Sequence, residues 1–133
     1  MSLTNVNKIE TSEDIRAFKV ICVKEKGFFS PYTHFEWVPN KCYTISKEDY
    51  QCFSEKRIDV GAFHCFKFAA DAIEECKYLN NLRQNDNIVY KPFIVCIPNN
   101  SKYIYEGVTE SASNAKQCQA YASSDMILLE MVD

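Results

Sequence analysis

The sequence predicts an α+β domain with a mainly antiparallel sheet and one principal helix. Two observations carry this prediction. Short apolar or alternating runs, which are typical of strands, lie on both sides of one amphipathic segment at residues 68–82. These runs also do not alternate regularly with helical segments, as they would in a doubly wound parallel sheet. We therefore expect the single helix to pack on one face of the sheet.

The segment at residues 58–79 is the centre of this prediction. From residue 58 to 68 the even positions form a mostly apolar face that includes His64. From Ala69 the apolar spacing becomes helical, with Ala72, Cys76 and Leu79 on one side. We expect a strand over residues 58–68 that runs almost directly into a helix over 68–82. The same alternation predicts that His64 is mostly buried.

The remaining segments give a simple domain organisation. Residues 1–14 are polar and are expected to form a flexible arm, whereas residues 15–133 are expected to form a single globular domain. Residues 108–120 are polar and small and predict one helical turn at most. Pro92 cannot donate to a ladder, so it either lies at an edge or bulge or separates two strands. Strands are predicted at residues 16–24, 34–38, 41–45, 88–97, 102–106 and 126–132.

Composition excludes several classes of function. The chain has 133 residues and a net charge of −3, which argues against broad binding to nucleic acid or to an anionic membrane. The N-terminus lacks the apolar run of a signal peptide, and no stretch is long and apolar enough to cross a bilayer. Seven cysteines without a Cys-x-x-Cys pair indicate buried, reduced thiols rather than a zinc site. We expect a cytoplasmic protein with no metal and no cofactor.

Candidate chemistry centres on His64. This histidine is either held by hydrogen bonds in the core or is a pocket residue, since imidazole binds protons and ligands near neutral pH. Cys65 follows it directly, but adjacent strand residues point to opposite faces, which argues against a Cys–His nucleophile pair. Trp37 lies in an aromatic segment that forms either core or a ligand groove or interface. Tyr103, Tyr105 and Glu106 lie at a strand end beside Gly107.

Three motifs in the chain, taken in order, resemble those of a known set of proteins. They are Gly61-Ala-Phe-His64 with Phe66 and Asp71-Ala72, then Cys96-Ile-Pro98 leading to Tyr103-Ile-Tyr-Glu-Gly107, and then Tyr121-Ala-Ser-Ser-Asp125. In this order, over residues 16–132, the chain resembles a set of small uncharacterised proteins from phages and bacteria. It departs from their pattern at Ala62, Ile104 and Ser124. The resemblance implies a phage-like or mobile-element accessory protein, and it does not imply any biochemical activity.

A second, more distant likeness concerns small ADP-ribosyltransferase folds. Those have a key polar residue on an early strand, a Gly-Phe-Tyr-like strand that enters a helix, and a late acidic residue. Arg16, His64 and Glu106 or Glu130 are the matching positions here, with His64 in place of the tyrosine. The likeness implies a nucleotide site built from these residues.

The leading hypothesis is therefore a non-enzymatic module that binds a protein partner. The alternative is an ADP-ribosyltransferase-like enzyme or a degenerate nucleotide-binding protein. The oligomeric state stays open. The candidate ligand-binding residues are His64, Arg16, Trp37, Tyr103, Tyr105 and Glu106.

Overall fold

The computed structural model describes residues 2–48, 50, 53, 57, 58, 61–82 and 87–133. Within these residues eleven strands form one antiparallel sheet, and one helix packs on it. This confirms a mainly-sheet α+β fold. The elements are β1 Leu3–Lys8, β2 Ile15–Lys24, β3 Gly27–Phe29, β4 Glu36–Trp37, β5 Cys42–Thr44, β6 Arg57–Ile58, β7 Phe63–Phe66, α1 Ala69–Leu82, β8 Ile88–Ile97, β9 Ile104–Glu110, β10 Gln117–Ser123 and β11 Asp125–Met131.

The sheet is built around the pairing of β2 with β8. The strand order is β5-β11-β8-β2-β7-β10-β9-β1-β6, and β3 with β4 branches from β2. The two central strands pair over their whole length, from Ile15 opposite Ile97 to Lys24 opposite Ile88. Both are rich in β-branched residues, which suit a pleated, buried surface. This pairing fixes the register from which the rest of the sheet extends.

Both faces of β2 are buried, as its uniformly apolar centre predicts. On one face Ala17 and Ile21 pack with Trp37 in a cluster that also contains residues of β7, β8, β10 and β11. On the other face Val20 and Cys22 pack against α1. We call these the Trp37 face and the helix face. The side of β2 from which a residue projects therefore decides which of these two cores it enters.

The helix is held to the helix face by its apolar stripe and by one polar clamp. Ala72, Cys76 and Leu79 recur at helical spacing and are buried against the sheet. Near the helix end, Asn80 Nδ2 donates to the Tyr90 carbonyl at 3.0 Å, and Asn80 Oδ1 accepts from the Tyr90 amide at 2.8 Å. The clamp ties the last helical turn to β8. The observed helix, Ala69–Leu82, confirms the helix predicted over residues 68–82.

The N-terminal segment is not the flexible arm that its polarity predicts. Leu3–Lys8 is a strand between β9 and β6, and Leu3 is fully buried. Gly107 on β9 explains how the strand fits. A Cβ at this position would lie 2.5 Å from the Thr4 carbonyl oxygen, so only glycine admits the close approach of the two backbones. The prediction for residues 3–8 was wrong because pairing with the neighbouring strands holds β1 in the sheet, although most residues of β1 are polar.

Two further segments differ from the prediction. Residues 58–68 are not one strand: β6 ends at Ile58, a turn lies at Gly61, and β7 covers only Phe63–Phe66. Asp59 and Val60, which the predicted strand included, lie outside the described residues. The tract at 108–120 is also not a helical turn, since β9 extends to Glu110 and β10 begins at Gln117. The short link between β7 and α1 is as expected.

Pro92 lies inside one continuous strand and not at a break. It is opposite Val20 of β2, and its carbonyl accepts the Val132 amide at 2.9 Å. The N–H and C=O of a strand residue point to the same side, so the missing N–H of Pro92 faces β11. The register between β8 and β11 shifts between Leu128 and Met131, next to Pro92. Of the alternatives that the sequence left open, the structure therefore shows one continuous strand with Pro92 beside a bulge or irregularity of the ladder.

The described segments contain no helix with both the length and the apolarity needed to cross a membrane. The six described cysteines form no disulfide with one another, and Cys22, Cys65, Cys76 and Cys118 are buried. Cys52 is outside the described residues. The buried thiols fill space in the two cores, as small apolar side chains do.

Candidate functional site

The sheet opens beside β2. β7 meets β2 where Phe66 lies opposite Phe18, and β3 begins to pair with β2 only where Phe29 lies opposite Cys22. Between these two points residues 19–21 have no described strand on this side. The turn at residues 31–33, which follows β3, lies against the opening. The divergence of β7 from β3 therefore creates room inside the sheet layer itself.

A cavity of about 400 Å³ occupies this opening. Its walls come from both cores: Phe35, Phe63 and Cys65 belong to the Trp37 face, whereas Val20 and Phe66 belong to the helix face. Two lining residues, Tyr32 and Thr33, are exposed, so the cavity opens to solvent beside them. The volume lies within the range of small-molecule sites. The remaining lining residues are Lys19, Ser30, Pro31, Ile45, Gly61, Ala62, His64 and Glu75.

Lys19 brings a cationic side chain to this cavity. It projects from the Trp37 face of β2 between Ala17 and Ile21, both fully buried. Its Nζ donates to the His64 carbonyl at 2.6 Å and lies 5.7 Å from the Trp37 ring centroid. No carboxylate of a described residue pairs with it. Burial lowers the pKa of Lys19 to about 8, which the nearby Cys65 opposes only weakly.

His64 lines the same cavity and is 4% exposed, which confirms its predicted burial. Its Nδ1 lies 3.0 Å from the Ala62 carbonyl oxygen, which can only accept, so Nδ1 carries the proton. Nε2 is then an acceptor, and no hydrogen bond of good geometry reaches it within the described part of the chain, although the Ile58 backbone lies near enough to the ring to raise its pKa slightly. Burial, and then the charge of Lys19, lower the pKa of His64 to about 4. The ring is therefore neutral at pH 7.

Glu75 reaches the cavity from the helix. It is 4% exposed, and its Oε1 accepts the Ala112 amide at 2.8 Å. Burial raises the pKa of this carboxyl group, while the Ala112 hydrogen bond acts in the opposite direction. The bond fixes the carboxyl group between α1 and the turn that joins β9 to β10.

The surroundings of Cys65 disfavour the thiolate form. Burial raises the pKa of its thiol to about 12, although Lys19 nearby favours the thiolate. Cys65 packs in the Trp37 face, whereas its neighbours along β7, His64 and Phe66, point the other way. The geometry agrees with the separation of the two side chains that strand alternation predicts.

The other candidate residues do not join this cavity. Arg16 is exposed on β2 opposite Cys96. Trp37 is buried one layer behind the cavity, where its Nε1 donates to Ser30 Oγ at 2.8 Å. Glu106 lies on β9 opposite Tyr121, and Tyr121 lies opposite Cys65. Alternation places Glu106 on the Trp37 face and His64 on the helix face, so the structure does not gather Arg16, His64 and Glu106 into one site.

Tyr103 and Tyr105 belong to a separate aromatic stack. Phe53 stacks on both rings, at centroid distances of 4.9 Å and 5.5 Å, and Tyr50 meets Tyr103 edge-on at 5.6 Å. Lys8 and Lys102 lie over the Tyr103 ring. Because each ring is covered by another ring or a lysine, the stack packs Tyr50 and Phe53 against Tyr103 and Tyr105.

Sequence reasoning missed Lys19 and Glu75. A signal for Lys19 was present, since it is the one charged residue inside the apolar run from Ala17 to Val23. Glu75 carried no signal, because it occupies a helix position where a solvent-exposed carboxylate is normal. Among the described residues no group of three histidine, cysteine, aspartate or glutamate side chains could hold a metal ion.

Comparison of the chain with protein-family models, with curated proteins and with solved structures finds no match.

Proposed function

We propose that the domain is a binding module whose cavity beside β2 takes a small molecule. The observation that carries the proposal is Lys19, whose part-buried amine lies on the wall of the cavity without a carboxylate partner among the described residues. An unpaired buried cation costs free energy, and an anionic or strongly accepting oxygen of a ligand would offset this cost. The cavity would therefore bind its ligand through that oxygen.

The remaining walls define the ligand further. Phe35, Ile45 and Phe63 offer apolar surface, so the body of the ligand is apolar or aromatic. On the helix side, His64 lines the cavity and its Nε2 is a hydrogen-bond acceptor, which favours a hydroxyl or N–H group on the ligand. A small aromatic or branched apolar acid with a donor group meets these requirements.

The first test uses 8-anilinonaphthalene-1-sulfonate, an aromatic anion. We expect saturable binding at one site, with energy transfer from Trp37, the sole tryptophan of the sequence, which lies close to Lys19. Lys19→Met should weaken binding about tenfold or more, because hydrogen bonds to charged groups contribute about 1.5–3 kcal/mol. The matched control is Lys91→Met on the neighbouring strand, where the side chain is exposed and outside the cavity. Affinity is measured by fluorescence titration.

The Lys19→Met variant should remain folded, because methionine keeps the apolar stem and removes a buried charge. Its urea midpoint checks this directly. Equal affinity in the Lys19→Met and Lys91→Met proteins, or binding without a saturable site, would contradict the proposal.

A protein partner remains a second proposal, supported by the resemblance to phage and bacterial accessory proteins. The exposed apolar side chains, among them Val38, Leu82 and Met131, would serve such a contact. A pulldown from a bacterial lysate that returns nothing above background counts against it.

The nucleotide alternative is tested with labelled NAD: binding or transfer that is lost in His64→Ala would support it, and the absence of any signal would remove it.

A further inference from the structure

The neighbours of Lys19 on the Trp37 face form a row across four strands. Glu106 is opposite Tyr121, and Tyr121 is opposite Cys65. Phe18 and Phe66 are the one described pair between β2 and β7, so Lys19 and Cys65, the next residues, lie at the edge of the opening, where each affects the pKa of the other. Directly opposed side chains in a sheet lie about 5 Å apart at Cβ, so Cys65, Tyr121 and Glu106 are neighbours in turn.

This row leaves Lys19 beside a neutral group. Burial raises the pKa of the Cys65 thiol and also that of the Tyr121 hydroxyl, so neither carries a negative charge at pH 7. The carboxylate of the row, Glu106, is two strands beyond Cys65. Ala17 and Ile21 exclude water on either side of the lysine along β2. The surroundings therefore increase the fraction of uncharged amine, which is the nucleophilic form, while the ammonium form still predominates at pH 7.

We propose that Lys19 captures a ligand carbonyl covalently and reversibly, as an imine. The proposal rests on the proposed function, because it assigns an aldehyde or ketone group to the molecule in the cavity. The Nζ lone pair attacks the carbonyl carbon and forms an N–C bond, while the carbonyl electron pair moves to oxygen. Nitrogen loses a proton and oxygen gains one, which gives a carbinolamine. The hydroxyl then leaves as water with a proton from solvent at the open mouth, and a protonated imine remains.

The experiment traps this imine on the unmodified protein. The protein is incubated at pH 7 with 4-carboxybenzaldehyde, an aromatic anion with an aldehyde, and with cyanoborohydride, which transfers hydride to the imine and fixes it as a secondary amine. Peptide mass mapping locates the label. A pKa of about 8 instead of 10.5 makes the neutral fraction of Lys19 larger on the order of 100-fold. We expect labelling of Lys19 at least about tenfold faster than labelling of the exposed Lys91, since entry to the cavity reduces the advantage.

Two companion measurements separate the possible failures. The aldehyde and its analogue 4-methylbenzoate, which cannot form an imine, are each tested for displacement of 8-anilinonaphthalene-1-sulfonate. Displacement by both compounds without preferred labelling of Lys19 would overturn the imine and leave the binding site standing. No displacement by either, with uniform labelling of all lysines, would overturn both. Excess 4-methylbenzoate should slow the labelling of Lys19 and not that of Lys91; equal slowing of both would place the reaction outside the cavity.

Discussion

Replacing Phe66 by alanine is expected to reduce the free energy of unfolding by about 3–5 kcal/mol. Phe66 is 2% exposed, and it lies where β7 meets β2 on one side and β10 on the other. It also forms part of the cavity wall and packs in the helix-face core. Its removal leaves a void that joins the cavity, so the loss includes both transfer free energy and cavity cost. Urea denaturation of the two proteins measures the difference.

Phe68 provides the matched control. It is two residues further along the chain, is the same residue type and is 50% exposed. Phe68→Ala is therefore expected to change the free energy of unfolding by no more than about 0.5 kcal/mol. If Phe66→Ala cost less than about 1 kcal/mol, or no more than Phe68→Ala, the junction of β7 with β2 would not be the packed centre that the structure shows.

The elements that sequence predicts well are those whose pattern is decided locally. The mostly apolar runs that form β2 and β8 need burial on both faces, which only a central strand provides. The helix follows from the recurrence of Ala72, Cys76 and Leu79, and its boundaries agree within one residue. In these cases the local sequence determines the type of element, and the tertiary structure determines only which element it packs against or pairs with.

The elements that sequence misses depend on a partner. β1 contains only one apolar residue besides its first, Val6, and its place in the sheet comes from the pairing with β9 across Gly107. β10 reads as a polar, small-residue tract, yet Cys118, Ala120 and Ala122 are buried in alternation. Alanine has low strand propensity, so neither a helical nor a strand pattern dominated there. Pairing on both sides, with β7 and β9, decides the outcome.

The site shows the same limit. Strand alternation correctly predicts that His64 is buried and that its side chain points away from that of Cys65, because both predictions depend on a single strand. The cavity itself arises where β7 and β3 diverge along β2, and this depends on register between segments more than forty residues apart. Lys19 becomes a candidate only once that opening is known. A charged residue inside an apolar strand is therefore a useful signal, but its meaning comes from the topology around it.

His64 should make the protein less stable as the pH falls below 7. The folded protein holds the pKa of His64 at about 4, whereas an unfolded histidine has a pKa near 6.5. Between these values the unfolded chain binds a proton that the folded chain excludes, so acid favours unfolding. The expected loss is about 2 kcal/mol between pH 7 and pH 5. Urea denaturation at a series of pH values in this window measures it.

The comparison of variants isolates His64 from the other groups that titrate in this range. The raised pKa of Glu75 acts in the opposite sense, since the folded state then binds the proton more readily. This contribution is common to all the proteins compared. His64→Gln should flatten the dependence, whereas His34→Gln, at an exposed turn position, should retain the full loss. An unchanged slope in His64→Gln would mean that the buried imidazole accepts its proton without cost, contrary to its desolvated position beside the Lys19 ammonium group.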